Sequence, residues 1–125
     1  MKTNVRVAVL TAYADEAQFE THKKSITEQR FVTIKHFLFE GLSFIESQNA
    51  IQAKAFEVAE EFDFLVKIDA DMVLRRKSSI KEMTLVLQNQ EESVKRVTFP
   101  VYDFFLNRQI CGVHMWRKGY PKCNT

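Results

Sequence analysis

The chain has 125 residues, of which 46% are hydrophobic and 11 are phenylalanine, so it can bury one modest core and is not expected to be disordered. We therefore expect a single domain over residues 1–125. The formal net charge of +2, from 18 basic and 16 acidic residues, provides no general attraction for nucleic acid or for an anionic membrane.

The N-terminal part of the chain predicts a strand followed by a helix. Val5–Leu10 is almost continuously apolar and rich in β-branched residues, as expected for a strand covered on both faces. A polar loop over Thr11–Glu16 leads to a helix over Ala17–Gln29. The apolar stripe of that helix is thin and consists of Phe19, His22 and Ile26.

The middle of the chain repeats this alternation. Phe31–Phe39 is a second strand candidate, and Glu40-Gly41 marks its end, since glycine tolerates positive φ. Ser47 is a plausible N-cap for a helix running to about Glu61. A third strand is predicted over Phe64–Ile68.

The last third of the chain predicts one helix and two strands. Ser79 and Glu82 have the spacing of a capping box, which opens a helix to about Gln90. Val94–Tyr102 is a strand candidate, and Pro100 favours an edge position for it. A short final strand is expected over Ile110–Arg117.

The order of these elements predicts the fold class. Strands alternating with helices indicate an open, mostly parallel α/β sheet with right-handed crossovers. In such sheets ligands bind outside the carboxyl ends of the strands, which here are Thr11–Glu16, Glu40-Gly41 and Asp69–Asp71. Three glycines are too few for a dinucleotide fingerprint or a P-loop, so nicotinamide enzymes and P-loop NTPases are excluded.

Compartment is inferred from the N-terminus and the cysteines. Residues 1–10 contain only a short apolar run, too brief for a signal peptide or a transmembrane segment. Cys111 and Cys123 are too few for a disulfide scaffold, so reduced thiols are expected, and whether these two pair is left open. A cytoplasmic protein is expected, with peripheral membrane attachment as an open alternative.

Two carboxylates at the end of the third strand candidate point to metal chemistry. Asp69 and Asp71 would project to one side of an extended backbone, or fan around one point if the strand has just ended. Oxygen donors at this spacing suit Mg²⁺ or Mn²⁺, which usually complete their coordination shell with substrate phosphates. The sequence therefore predicts a metal-bridged diphosphate.

Four segments resemble one enzyme family. Thr11-Ala12-Tyr13-Ala14-Asp15-Glu16 is similar to the loop Pro-x-Tyr-Asn-Glu, and Ser25-Ile26-Thr27-Glu28-Gln29 matches Ser-Ile-x-x-Gln. Phe39-Glu40-Gly41-Leu42-Ser43 stands where an Asp-Asp-Gly-Ser-like turn is found, and Ile68-Asp69-Ala70-Asp71 supplies the Asp-x-Asp motif. In order and spacing, the chain resembles the N-terminal, nucleotide-sugar-binding half of the family 2 GT-A glycosyltransferases.

This resemblance implies a fold, an activity and a site. The implied fold is a three-layer α/β/α sheet of the GT-A type, incomplete in this chain. The implied activity is metal-dependent sugar transfer from a nucleotide-diphosphate donor to a glycan or lipid-linked acceptor. The implied nucleotide-sugar-binding residues are Thr11, Ala12, Tyr13, Glu40, Asp69 and Ala70. The implied metal ligands are Asp69, Asp71 and His114, for Mn²⁺ or Mg²⁺.

The resemblance leaves the catalytic base unassigned. Family members carry an acidic base well downstream of the metal motif, whereas this chain has only Asp103 and a few helix-borne glutamates after Asp71. We therefore expect a fragment of a longer enzyme, with an exposed apolar patch and self-association. Two alternatives are a non-catalytic nucleotide-sugar-binding or assembly module and a haloacid-dehalogenase-like phosphatase, whose opening motif resembles Ile68–Val73 but normally follows the first strand.

Overall fold

A computed structural model describes residues 4–13, 17, 19–103 and 108–120, and it describes only the backbone of residues 102, 103 and 108–111. Both cysteine side chains lie outside this description. Within it, none of the helices is long and apolar enough to cross a membrane. The elements are β1 (Arg6–Tyr13), α1 (Phe19–Thr27), β2 (Thr33–Glu40), α2 (Phe44–Val58), β3 (Phe64–Lys67), α3 (Ser79–Gln88), β4 (Arg96–Asp103) and β5 (Arg108–Arg117).

The described strands form one open, mixed sheet in the order β2-β1-β3-β5-β4. β1 is parallel to β2 and β3, whereas β5 is antiparallel to β3 and β4. The α/β class is therefore confirmed, but the expectation of a mostly parallel sheet is wrong. Only residues 104–107 separate β4 from β5, and a parallel connection needs about a dozen residues or more. Pro100 lies on an edge strand, as predicted.

The core lies on both faces of β1, because its side chains alternate between them. Val7 and Val9 belong to a buried cluster that also contains Ile26 of α1 and Leu87 of α3. The second cluster contains Leu10 and the α2 residues. The prediction that the first strand is covered on both faces is thus confirmed, and burying these aliphatic side chains is the main stabilising contribution.

α2 begins earlier than predicted. Its N-cap is Ser43, whose Oγ accepts a hydrogen bond from Glu46 N at 3.2 Å, while Glu46 Oε1 accepts one from Ser43 N at 3.2 Å. Ser47 is instead buried inside the helix, where its hydroxyl donates to the Phe44 carbonyl. Ser43-x-x-Glu46 is a full capping box, which Ser47 cannot form because Ala50 stands three residues later.

The predicted capping box at the start of α3 is wrong. The Glu82 carboxylate is paired with the Arg76 guanidinium through hydrogen bonds of 2.7 and 3.0 Å. The amide of Ile80, in the first turn, instead donates to Gln29 Oε1 at 2.9 Å. One of the unpaired amides of this helix end is therefore satisfied by a distant residue and not by its own sequence neighbours.

Two consecutive apolar side chains are exposed beside the end of β2. Phe44 is 79% exposed and Ile45 is 70% exposed, both in the first turn of α2. Phe31, Val73, Leu85 and Val86 are also exposed, and self-association through any of these residues stays a prediction.

Phe31 is strained, and relieving the strain is expected to stabilise the protein. It has φ of 74° and its side chain is 70% exposed, so little packing compensates for the left-handed backbone. Phe31→Gly should raise the free energy of unfolding by about 0.5–1 kcal/mol in urea denaturation, since it removes the Cβ clash. Phe31→Ala removes the same ring but keeps Cβ, so an equal gain from that variant would contradict the strain explanation.

Candidate functional site

The carboxyl ends of β2, β1 and β3 lie side by side at one edge of the sheet. Tyr13, the last residue of β1, is the register partner of Glu40, and the amide of Gly41 donates to the Tyr13 carbonyl at 3.2 Å. On the other side of β1, the amide of Ile68 donates to the Leu10 carbonyl at 3.1 Å. The three strand ends from which the sequence predicted a crevice are thus neighbours.

β1 is also the point at which the strand order reverses. The chain passes from β1 through α1 to β2 on one side, and from β2 through α2 to β3 on the other side of β1. α1 packs on the face that carries Val7 and Val9, whereas α2 packs on the face that carries Ala8 and Leu10. Loops that leave on opposite faces open a crevice at the strand ends, the usual ligand site of open α/β sheets.

Two of the three predicted metal ligands, Asp69 and Asp71, lie in a turn directly after β3. We call the segment Asp69–Met72 the acidic turn. The strand ends at Lys67, and the amide of Met72 donates to the Asp69 carbonyl at 3.0 Å, which closes the turn. Asp69 and Asp71 are exposed, whereas Ala70 between them is only 2% exposed. The strand therefore ends before both acids, so they do not alternate along an extended backbone.

His114 lies on β5, the strand next to β3 in the sheet. It is the register partner of Lys67, and its Nδ1 is 3.1 Å from the Thr98 hydroxyl. Burial lowers the pKa of His114, the charges of Arg96 and Lys67 lower it further, and the Asp69 carboxylate acts in the opposite direction. Among the described residues, no three His, Cys, Asp or Glu side chains form a group that could hold a metal ion. The metal-ligand roles of Asp69, Asp71 and His114 stay a prediction.

Behind the acidic turn lies a buried polar group that we call the histidine cluster, formed by Thr11, His22 and His36. The Thr11 hydroxyl donates to the Ile68 carbonyl at 2.8 Å, so the same oxygen accepts from His36 Nε2 at 2.9 Å. His22 Nδ1 donates to the Met72 carbonyl at 2.7 Å. Thr11 and His22 are fully buried, so the Thr11 hydroxyl is used inside the protein and neither residue offers a surface to a ligand.

α1 also holds the chain that follows the acidic turn. Ser25 Oγ accepts from the amide of Leu74 at 3.1 Å. The side-chain amide of Gln29 donates to the Arg76 carbonyl at 2.7 Å and accepts from the Ile80 amide at 2.9 Å. The segment that matched Ser-Ile-x-x-Gln spans the end of α1 and the two residues after it, and it fastens the loop between β3 and α3.

The remaining predicted nucleotide-sugar-binding residues lie at the edge of β1 and β2. The Tyr13 ring stacks on Phe19 with centroids 3.7 Å apart. Ala12 packs partly against the α2 cluster, and Glu40 is exposed. Tyr13 and Glu40 therefore stand next to each other on the edge that also bears the acidic turn, while residues 14–16 of the predicted loop lie outside the described residues.

Two clefts are lined by described residues, and neither includes Asp69 or Asp71. The first has a volume of about 400 Å³ at the opposite edge of the sheet, near Asp63 and Arg117. The second has a volume of about 290 Å³ between α1 and residues 73–77. The carboxylates of Asp69 and Asp71 belong to exposed residues at the carboxyl ends of the strands.

The position of His36 predicts a pH-dependent stability. Burial lowers the pKa of His36 to about 4, and the positive charges of His22 and Lys23 contribute. In the unfolded chain His36 is protonated below about pH 6.5, whereas in the folded chain it is protonated only below about pH 4. The contribution of His36 to stability is therefore complete above pH 6.5 and decreases as the pH falls below that value. Because His36 is only partly buried, we expect a loss of about 1–2 kcal/mol between pH 7.5 and 4.5.

Urea denaturation at both pH values measures this loss. His36→Gln keeps an amide donor towards Thr11 but does not titrate, so its stability should fall less over the same range. An equal fall in both proteins would mean that other groups cause the pH dependence.

Sequence reasoning did not predict the hydrogen bonds of His22 and His36. His22 was expected on the buried stripe of α1, and it is buried, but its bond to residue 72 joins positions 50 residues apart. His36 lies inside the second strand, and no local pattern distinguishes it. A histidine on an otherwise apolar helix face was the one available signal.

Comparison with known proteins adds no assignment, because no protein-family model, curated protein or solved structure matches this chain.

Proposed function

We propose that this chain binds a nucleotide-diphosphate sugar at the carboxyl edge of β2, β1 and β3, as the donor-binding part of a metal-dependent glycosyltransferase with the GT-A three-layer arrangement. One observation carries the proposal: two exposed acidic residues share a single turn, beside the point where the strand order of the sheet reverses. Open α/β sheets bind ligands at this point, and paired carboxylates suit a cation that bridges a diphosphate.

The donor set fits Mg²⁺ or Mn²⁺. Asp69 and Asp71 would hold the ion, and phosphate oxygens and water would complete its coordination, as these ions prefer. When bound, the ion would neutralise the charge of the diphosphate leaving group. Because Asp69 and Asp71 are exposed, the ligand itself would cover much of the ion.

The neighbouring residues would receive the rest of the donor. Tyr13 and Glu40 would contact the nucleoside, with Ala12 beside Tyr13. Thr11 and Ala70 are buried, so they would support the site from inside the protein without touching the ligand. Arg75 and Lys77 are exposed after the acidic turn and could add positive charge, whereas Arg76 is committed to its pair with Glu82.

The reaction proposed is direct displacement at the anomeric carbon of the sugar. The acceptor oxygen forms a bond to that carbon while the bond from the carbon to the diphosphate oxygen breaks. The nucleoside diphosphate leaves with the electron pair, and the proton of the acceptor hydroxyl passes to a base. No residue of this chain is assigned as the base, and the acceptor is not identified.

Isothermal titration of the purified chain with UDP and GDP, with and without Mn²⁺, tests the proposal. We expect binding of at least one nucleotide only when Mn²⁺ is present, and the matching nucleotide sugar should compete. Transfer to added sugar acceptors would identify an enzyme, and metal-dependent binding without transfer would identify a binding module. Release of phosphate from a phosphomonoester without nucleotide binding would overturn the proposal in favour of the phosphatase alternative.

A further inference from the structure

We propose that His22 is a positioning residue for the acidic turn, acting with Thr11 from inside the protein. The inference rests on the proposed function, since it concerns how the carboxylates of that site are held. Neither side chain reaches the surface, as both are fully buried.

The two buried side chains hold the carbonyl groups on both sides of the Asp-Ala-Asp segment. Thr11 Oγ1 binds the carbonyl of Ile68, the residue before Asp69, at 2.8 Å. His22 Nδ1 binds the carbonyl of Met72, the residue after Asp71, at 2.7 Å. Only three residues lie between these two anchors, so the path of the backbone between them has little freedom.

This anchoring fixes the direction of the carboxylates. Ala70, in the middle of the turn, is 2% exposed and packs inward, so the residues on either side of it face solvent. The closing bond from Met72 N to Asp69 O, at 3.0 Å, depends on the same geometry. Two carboxylates held in one arrangement bind a cation more tightly than two mobile ones, because less conformational freedom is lost on binding.

The identity of His22 supports a role beyond packing. A fully buried imidazole is costly unless its nitrogens are bonded, and an apolar residue would fill this helix position at lower cost. Ile26, one turn further along the same face of α1, provides such packing and makes no bond to the acidic turn. His22 therefore supplies a hydrogen bond that an apolar side chain cannot supply.

Amide hydrogen exchange and Mn²⁺–UDP binding test the inference on four variants. His22→Leu removes the donor, and His22→Asn retains one because the Asn Nδ2 group can take the place of His Nδ1. Ile26→Ala is the matched control, since it loses buried contacts on the same helix but removes no hydrogen bond to the turn. Thr11→Val removes the other anchor and supplies the test if His22→Leu does not fold.

We expect His22→Leu to accelerate exchange of the Met72 amide and to weaken Mn²⁺–UDP binding by about tenfold or more, as other supporting groups of metal sites do. His22→Asn should stay within about threefold of the native chain in both measurements, and so should Ile26→Ala. The inference is overturned if His22→Leu leaves the Met72 amide unchanged, or if Ile26→Ala has the same effect.

The two measurements separate this inference from the proposed function. Hydrogen exchange is measured without metal or nucleotide, so it reports on the anchoring of the turn alone. If the native chain does not bind Mn²⁺–UDP, the proposed function fails, and the exchange rates still decide whether His22 holds the turn.

Discussion

Asp69→Asn and Asp71→Asn are each expected to weaken Mn²⁺-dependent binding of UDP or GDP by about 100-fold or more. Removing an outer supporting group of a metal site costs about 10- to 100-fold, and these carboxylates would bind the ion directly. The amide of Asn keeps the size of the side chain but lacks the negative charge that a hard cation requires. Titration calorimetry with and without Mn²⁺ measures the loss.

The matched control for these variants is Glu92→Gln, which neutralises an exposed acid at the first cleft, at the opposite edge of the sheet. It should leave nucleotide binding unchanged. Because Asp69 and Asp71 are exposed, both variants should keep their free energy of unfolding within about 0.5 kcal/mol of the native value. Native affinity in the two Asn variants would exclude the acidic turn as the metal site.

Arg117→Met is expected to destabilise the protein by about 2–4 kcal/mol. Arg117 Nε donates to the Val94 carbonyl at 2.6 Å. Its Nη2 lies 2.7, 2.9 and 3.1 Å from the carbonyls of Leu87, Gln90 and Glu91. These groups lie at and after the end of α3, where carbonyls lack helical partners and the helix dipole favours a cation.

Methionine retains most of the aliphatic stem of Arg117 but leaves these carbonyls without their donor. Arg117→Lys should recover only part of the loss, because an ammonium group cannot reproduce the fork of the guanidinium. Lys118→Met, at the exposed neighbouring residue, should change the free energy of unfolding by less than about 0.5 kcal/mol. Urea denaturation measures all three variants, and a loss below 1 kcal/mol in Arg117→Met would show that water replaces the guanidinium at little cost (~1 kcal/mol).

Elements with a strong local pattern were predictable. The apolar run that became β1 and the run before Asp69 were identified from β-branched residues, and both strands are buried. The boundaries were less accurate: β1 continues to Tyr13, into a segment expected to be a loop, because Thr11 and Ala12 pair with β2. Pairing with a distant strand, not local composition, extends this element.

The first turns of α2 and α3 are stabilised in different ways, one by neighbouring residues and one by a residue distant in sequence. The capping box at Ser43 is a local pattern, and a complete reading of the sequence would find it. The start of α3 has a similar pattern that is not used, since the amide of Ile80 is bonded by Gln29. No local rule distinguishes these two cases, because the competing partner lies 51 residues away in sequence.

The sequence by itself determined the alternation of strands and helices and the position of two acids immediately after a buried strand, since both depend on the order and periodicity of neighbouring residues. Only the tertiary structure decided that the sheet is mixed, that α1 fastens the segment after the acids, and that Thr11 and His22 hold the carbonyls on either side of them. The physical reason is that these bonds join residues 47 to 57 positions apart, and such partners are chosen by the packing of whole elements.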